Sequence, residues 1–214
     1  MIKMVAFDLD GTLCDSITMC IEAFCEAVSP YAGHEITEKE VIETFGLNEI
    51  GMVKKVVKKY WEQALQDFYQ YYEVLHDMCP DPFPGIRDLI NFLQENHIIV
   101  ALITGKGEKS CDITLEKLRL KDAFIEIATG SEKKPNKAES ILLLMQKYSV
   151  KSDEFYYIGD AVSDVTECKR VDVTCLSAAW AEFAHTAELR KVNPLHVFES
   201  ISELKEFMYG AINP

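Results

Sequence analysis

No stretch of the chain is apolar for long enough to cross a bilayer. The longest such run is Ile98–Ile103, against the ~20 apolar residues that a spanning helix needs. An acidic motif follows Met1 within its first ten residues, which leaves no room for a signal peptide, so the expectation is a cytoplasmic protein. No Cys-x-x-Cys pair occurs among the seven cysteines, at 14, 20, 25, 79, 111, 168 and 175. Their odd number and scattered spacing argue against a disulfide framework or a zinc site, and for small buried hydrophobes. Cys14, next to the acidic motif, is read the same way. Positive charge is scarce: 22 Lys and Arg stand against 35 Asp and Glu, a formal net charge of −13. That balance argues against a nucleic-acid backbone as partner. An anionic small-molecule substrate stays admissible, because salt screens distant charges over ~8–10 Å and local cations decide. Internal repeats and low-complexity tracts are absent too.

What is present is a pattern of short apolar runs alternating with helical periodicity. The 214 residues, 48% of them hydrophobic, suit one globular domain or one domain with an insertion. Strands are expected at Met4–Phe7, Ile98–Thr104, about Phe124–Ala128, Phe155–Gly159 and Val171–Leu176. Ile86, Leu89, Ile90 and Leu93 recur at helical spacing, as do Ile141, Leu142, Met145 and Tyr148. This alternation predicts an α/β fold, a Rossmann-like parallel sheet covered on both faces. A last strand–helix pair, His196–Phe198 and Ser200–Met208, closes an edge, with Ser200-Ile201-Ser202-Glu203 as a capping box.

The interval from Ser16 to Pro82 breaks this rhythm. It reads as helices only, over Ile17–Val28, Glu38–Thr44, Ile50–Tyr60 and Trp61–Met78, and ends at Pro80, Pro82, Pro84 and Gly85. So long a connection points to an inserted helical subdomain, since ordinary connections span a few residues. The expected division is a core of residues 1–15 and 83–214 and a helical bundle of residues 16–82.

In parallel sheets, ligands bind at the carboxyl ends of the strands. Those ends carry Asp8 and Asp10, then Thr104-Gly105-Lys106, then Gly159-Asp160. Lys134, in Lys133-Lys134-Pro135, is read as opening the helix before the fourth strand. Asp8 is placed to attack phosphorus, and Asp10 to protonate a leaving group and then activate water. Gly11 lets the chain turn sharply, with Thr12 supporting the turn. Asp8 and Asp160 suit a hard cation such as magnesium. Asp164, one helical turn past Asp160, is placed to orient metal-bound water or Lys134. Thr104 and the amides after it suit phosphoryl oxygens, with Lys134 offsetting their charge. Each element alone has a plainer reading: Asp-Gly as a turn, Asp160, Asp164 or Thr104 as helix caps, Lys134 as a solvated loop residue. Four such groups at the ordered ends of successive elements make the catalytic reading the stronger one.

These residues resemble the haloacid dehalogenase superfamily, over essentially the whole chain. Its motifs are matched by Val5-Ala6-Phe7-Asp8-Leu9-Asp10-Gly11-Thr12-Leu13, by Leu102-Ile103-Thr104, by Lys134-Pro135, and by Gly159-Asp160-Ala161-Val162-Ser163-Asp164. The resemblance implies Asp8 as nucleophile and metal ligand, and Asp10 as general acid/base that also binds metal through its carbonyl. It implies Asp160 as third ligand of a Mg2+ ion, Asp164 as support, and Thr104 and Lys134 as catalytic groups. Thr12, Gly105 and Lys106 fall among the phosphate-binding positions. The inserted helices resemble the family's cap. Asp15-Ser16 and Phe83-Pro84-Gly85-Ile86 resemble the phosphoglycolate phosphatase branch. Gly105 departs from the Asn usual there, and Ser177-Ala178-Ala179-Trp180 lacks the usual glycine turn. Since Asp10 is present, phosphoryl chemistry is favoured over dehalogenation.

The expected activity is hydrolysis of a small phosphorylated metabolite, by a monomer or homodimer with no nucleic-acid or membrane partner. Alternatives are a sugar phosphomutase resembling β-phosphoglucomutase, a pyrophosphatase or nucleotidase, and a catalytically silent regulatory module. Within the insertion, Phe45-Gly46-Leu47-Asn48 falls where relatives place a specificity loop. Lys54, Lys55, Lys58 and Lys59 are expected on one helix face, more plausibly solvated than substrate-steering. The aromatic run from Tyr60 to Tyr72 is expected to serve packing.

Overall fold

The computed structural model describes residues 1–212. Six strands, all parallel, form one sheet: β1 (Met4–Phe7), β2 (Ile99–Ile103), β3 (Glu126–Ala128), β4 (Phe155–Gly159), β5 (Thr174–Ala178) and β6 (Val197–Phe198). Their order is β3-β2-β1-β4-β5-β6. The chain therefore runs outward from β1 to β3, then crosses back to place β4 on the other side of β1. That reversal opens a crevice at the carboxyl ends of β1 and β4.

Register decides what stands at that rim. Phe7 pairs with Leu102 on one side and Ile158 on the other. One residue beyond Phe7 comes Asp8; two beyond Leu102 and Ile158 come Thr104 and Asp160. Three distant segments thus deliver polar groups to one level. The strand itself is fully buried because helices cover both faces. Val5 and Phe7 face one core with Leu102 and Ile158, while Met4 and Ala6 face the other with Ile103, Phe155 and Tyr157. This is the period-two alternation of a strand buried on both sides.

Helices α5 (Ile86–Glu95), α6 (Glu108–Lys117), α7 (Lys137–Tyr148), α8 (Val162–Arg170), α9 (Thr186–Val192) and α10 (Ile201–Ile212) cover the sheet. Glu203 and Ser200 exchange the two hydrogen bonds of a capping box ahead of α10. Strand β5 starts three residues later than its apolar run suggests. Val171 to Val173 form the turn after α8, with Asp172 at a φ of 57°. Helix α9 carries little apolar periodicity and was not anticipated.

Between β1 and α5 lie α1 (Ile17–Ala32), α2 (Glu38–Ile42), α3 (Glu49–Val56) and α4 (Trp61–Leu75). Helix α1 runs through Pro30 and stops at Gly33, whose φ of 81° suits glycine. Helix α3 ends at Val56, four residues short of the expected end, and Tyr60 enters the left-handed region to start α4. Lys58 and Lys59 therefore lie in a turn, not on a face shared with Lys54 and Lys55. Lys54 pairs with Glu132 at 2.7 Å and Lys55 donates to the Glu43 carbonyl at 2.6 Å. Phe68 and Tyr72 are fully buried. Phe68 meets Phe24 edge-on at 5.9 Å between ring centroids, which locks α4 against α1. Phe68→Ala is expected to lower the unfolding free energy by about 3–5 kcal/mol, measured as a fall in the urea midpoint.

Candidate active site

Asp8 leaves β1 as the sheet opens, and is buried. One carboxylate oxygen accepts from the Leu9 amide at 2.8 Å, and the other from the Lys137 ammonium at 2.5 Å. The same ammonium reaches Asp164 at 2.6 Å. Lys137 is the first residue of α7, and side chains there tilt back toward the helix N-terminus, hence toward this rim. Lys134 does not reach the site. It is exposed and pairs with Glu139 at 2.7 Å. The lysine beside the acids is thus three residues later than the Lys-Pro pattern suggested. The signal that marks it is the helix start: Pro135-Asn136 precedes Lys137, so only the latter enters the first helical turn.

Asp164 is fully buried in the first turn of α8, its second oxygen accepting from the Ala161 amide at 3.0 Å. Gly159 is required here, because a side chain on it would collide with the Asp164 carboxylate. Asp160 lies beside Gly11 in the same way. Gly11 turns at a φ of 69°, and a Cβ on it would strike the Asp160 carboxylate. Thr12 is fully buried and donates to Asp160 at 3.4 Å, so it steadies an acid and does not face the cavity. Trp180 donates from its indole to the Thr12 carbonyl at 3.1 Å and ties the turn to the end of β5. Nothing in the sequence pattern marked that bond.

Carboxylate oxygens of Asp8, Asp160 and Asp164 lie within 4.8 Å of one another. Crowding and burial carry a cost. Burial pushes the Asp8 carboxyl up to about 6; Lys137 pulls it back in part, and Asp164 and Asp10 raise it further. Burial, then Asp164 and Asp8, push Asp160 well above the usual carboxylate range. Burial opposes the charge on Lys137, but Asp164 and Asp8 outweigh it and hold the ammonium above the ordinary lysine range. Three carboxylates crowded around one ammonium could hold a divalent cation, whose charge would offset this crowding.

Asp10 points into the same space. Its carboxylate accepts from the buried Ser16 hydroxyl and lies 3.4 Å from the Lys106 ammonium. Lys106 is itself buried, 4.3 Å above the Tyr72 ring and 3.7 Å from the Cys20 sulfur. Burial disfavours its charge, yet Asp10 and its other neighbours hold it well above the lysine range. Lys106 thus serves Asp10 directly. The Lys106 amide donates to the Thr104 hydroxyl oxygen at 3.2 Å, leaving the hydroxyl proton for another acceptor.

A cavity of about 280 Å3 joins these groups. Its lining includes Asp8, Asp10, Thr104, Gly105, Lys106, Lys137 and Asp160, but neither Thr12, Lys134 nor Asp164. The inserted helices form its other wall, where Glu49 of α3 is buried. Glu49 accepts from the Gly107 amide at 2.7 Å and from the Ser110 hydroxyl, capping α6 from across the cleft. Asn48 adds bonds to the Ser131 and Gly130 carbonyls, from its amide and side chain respectively.

A parallel α/β sheet with buried acids, a threonine and a lysine at the β1–β4 crevice defines a class of phosphoryl-transfer scaffolds. A family model of haloacid dehalogenase-like hydrolases matches residues 5–178, and the chain belongs to that family. Phosphoglycolate phosphatase of Pseudomonas savastanoi pv. phaseolicola is 28% identical, covering 94% of this chain and 78% of its own length. The "Putative pyrophosphatase PpaX" of Caldanaerobacter subterraneus is 24% identical, over 98% of this chain and 96% of its own. The solved structure of a predicted phosphatase from Clostridium acetobutylicum superposes with a TM-score of 0.79 at 19% identity, covering 98% and 99% of the two chains. Among the described residues no helix is long and apolar enough to cross a membrane.

The placement of the two lysines separates their roles. Lys137→Ala is expected to lower hydrolytic turnover by about 10²–10³-fold, and Lys134→Ala, which removes an exposed ion pair, by less than about twofold. Steady-state kinetics on a generic phosphate ester distinguishes the two.

Proposed function

We propose that this chain is a magnesium-dependent phosphomonoester hydrolase of the phosphoglycolate phosphatase-like branch, acting through a phosphoaspartate on Asp8. The observation that carries this reading is the opening of Asp8 and Asp10 into one cavity with Thr104, Lys137 and Asp160. A single carboxylate at the rim would serve any nucleophilic displacement. The second, two residues on, supplies the proton that an alkoxide leaving group needs.

In this mechanism an Asp8 oxygen attacks phosphorus while the bond to the ester oxygen breaks, and Asp10 delivers its proton to that oxygen. Asp10 then takes a proton from water, which attacks the phosphorus and returns Asp8 to its starting state. Ser16 and Lys106 hold the Asp10 carboxyl in place for both transfers. Thr104 donates its hydroxyl to a phosphoryl oxygen, and Lys137 balances charge on Asp8 and on the group transferred to it. Asp8, Asp160 and the Asp10 carbonyl would hold Mg2+, with Asp164 orienting Lys137. When bound, the ion supplies Lewis-acid charge neutralisation. Residues 1–15 and 83–214 act as the catalytic core in this reading, and residues 16–82 as a cap that closes over the cleft and excludes water.

Asp8→Asn is expected to abolish phosphate release from esters while leaving the circular dichroism spectrum unchanged. Normal turnover in that variant contradicts the mechanism. Exhaustive chelation is expected to remove activity and added Mg2+ to restore it. Isomerised sugar phosphate in place of free phosphate would instead assign the chain to the mutases.

A further inference from the structure

We infer that the leaving group this cavity accepts is an uncharged, hydroxyl-bearing alcohol, not one carrying a carboxylate or a second phosphate. The inference rests on the hydrolase reading above and adds its substrate class.

From the inserted segment, the cavity is lined by Ile17 and Cys20 of α1, Phe45, Gly46 and Leu47 of the loop before α3, and Glu49 and Met52 of α3. Glu49 is the one charged residue among them. No Arg or Lys of the inserted helices lines the cavity. Lys54 is drawn away to Glu132 and the Trp61 ring, and Lys55 to the Glu43 carbonyl.

Two lysines do line the space, and both already have carboxylate partners. Lys137 lies between Asp8 and Asp164, and Lys106 lies on Asp10 over the Tyr72 face. An additional anion on the leaving group would lie near Glu49 with no unmatched lysine or arginine among the lining residues to receive it. An anion brought close to a like charge, with no cation of its own, is disfavoured.

Glu49 instead offers a fixed acceptor. The Gly107 amide and Ser110 hydroxyl hold it at the N-terminus of α6, and its carboxylate has further lone pairs. A substrate hydroxyl can donate to it while the carbon skeleton meets Met52 and Leu47. Beside Thr104, Gly105 leaves open space: a Cβ there meets nothing within 4 Å. The volume, about 280 Å3, lies at the lower edge of the ~300–1,000 Å3 of pockets for drug-sized ligands. A short polyol or glycol phosphate fits these constraints.

The test uses two esters that differ only at the group in question, 2-phosphoglycolate and 2-hydroxyethyl phosphate. Inorganic pyrophosphate serves as a second anionic comparison and 4-nitrophenyl phosphate as a general ester. The wild-type protein with Mg2+ is expected to show kcat/KM at least about tenfold higher for 2-hydroxyethyl phosphate than for phosphoglycolate or pyrophosphate. Glu49→Gln, which keeps the shape and one acceptor, should narrow that ratio by raising turnover of the carboxylated ester relative to the neutral one. Equal or better hydrolysis of phosphoglycolate or pyrophosphate by the wild type overturns the inference while leaving the hydrolase reading intact. Silence toward all four compounds overturns both. The wild-type comparison decides the matter even if the variant fails to fold.

Discussion

One ammonium group holds this site together. Lys137 lies between Asp8 and Asp164 at 2.5 and 2.6 Å, with all three side chains largely buried. Without it, three carboxylates within 4.8 Å would face one another in a poorly screened environment. The surrounding backbone is shaped to keep that cluster dense. Gly11 and Gly159 each stand where a Cβ would meet a carboxylate, and the Trp180 indole fixes the turn at Gly11-Thr12. The cluster is too negative for one lysine to neutralise, and this is the electrostatic reason for expecting a divalent cation there. A global net charge of −13 does not prevent an anionic substrate from binding once those local cations are in place.

The second half of the site is built by packing. Phe68, Phe24 and Tyr72 fix α1 and α4 as a unit, and the Tyr72 ring also carries the Lys106 ammonium on its face. Lys106 in turn touches Asp10. The aromatic core of the inserted helices is thereby connected to Asp10 through one buried cation. Glu49 and Asn48 join the same helices to the loop at Gly130 and to the start of α6. The cavity therefore takes its chemistry from the sheet rim and its shape from the inserted helices.

The sheet and its rim were legible because they obey local rules. Short apolar runs ending in Asp8, Thr104 and Asp160 mark both the strands and the residues that leave them, and parallel register does the rest. The strands at Met4–Phe7 and Phe155–Gly159 fall where the pattern puts them. Lys134 was misleading because the Lys-Pro pair is a pattern in sequence, whereas reach into the site depends on which residue begins the helix. Thr12 and Lys106 were assigned to phosphate by position, yet the one donates to Asp160 and the other pairs with Asp10. Partners of that kind are long-range. The Trp180–Thr12 and Glu49–Gly107 bonds join segments 168 and 58 residues apart, and no local periodicity encodes them. The end of α3 at Val56 is not marked locally, because Lys58, Lys59 and Tyr60 are all tolerable helix residues, whereas Val57 is extended and Tyr60 takes a φ of 62° ahead of α4.

The central claim is that Asp8 becomes covalently phosphorylated during turnover. The most direct measurement is acid quenching of the enzyme in the presence of a substrate, followed by borohydride reduction and peptide mass spectrometry. A phosphoaspartate at residue 8 is reduced to homoserine, and the account predicts that product in the peptide containing Phe7-Asp8-Leu9. Homoserine at another aspartate, or unmodified Asp8 in an enzyme quenched while turning over, would contradict it.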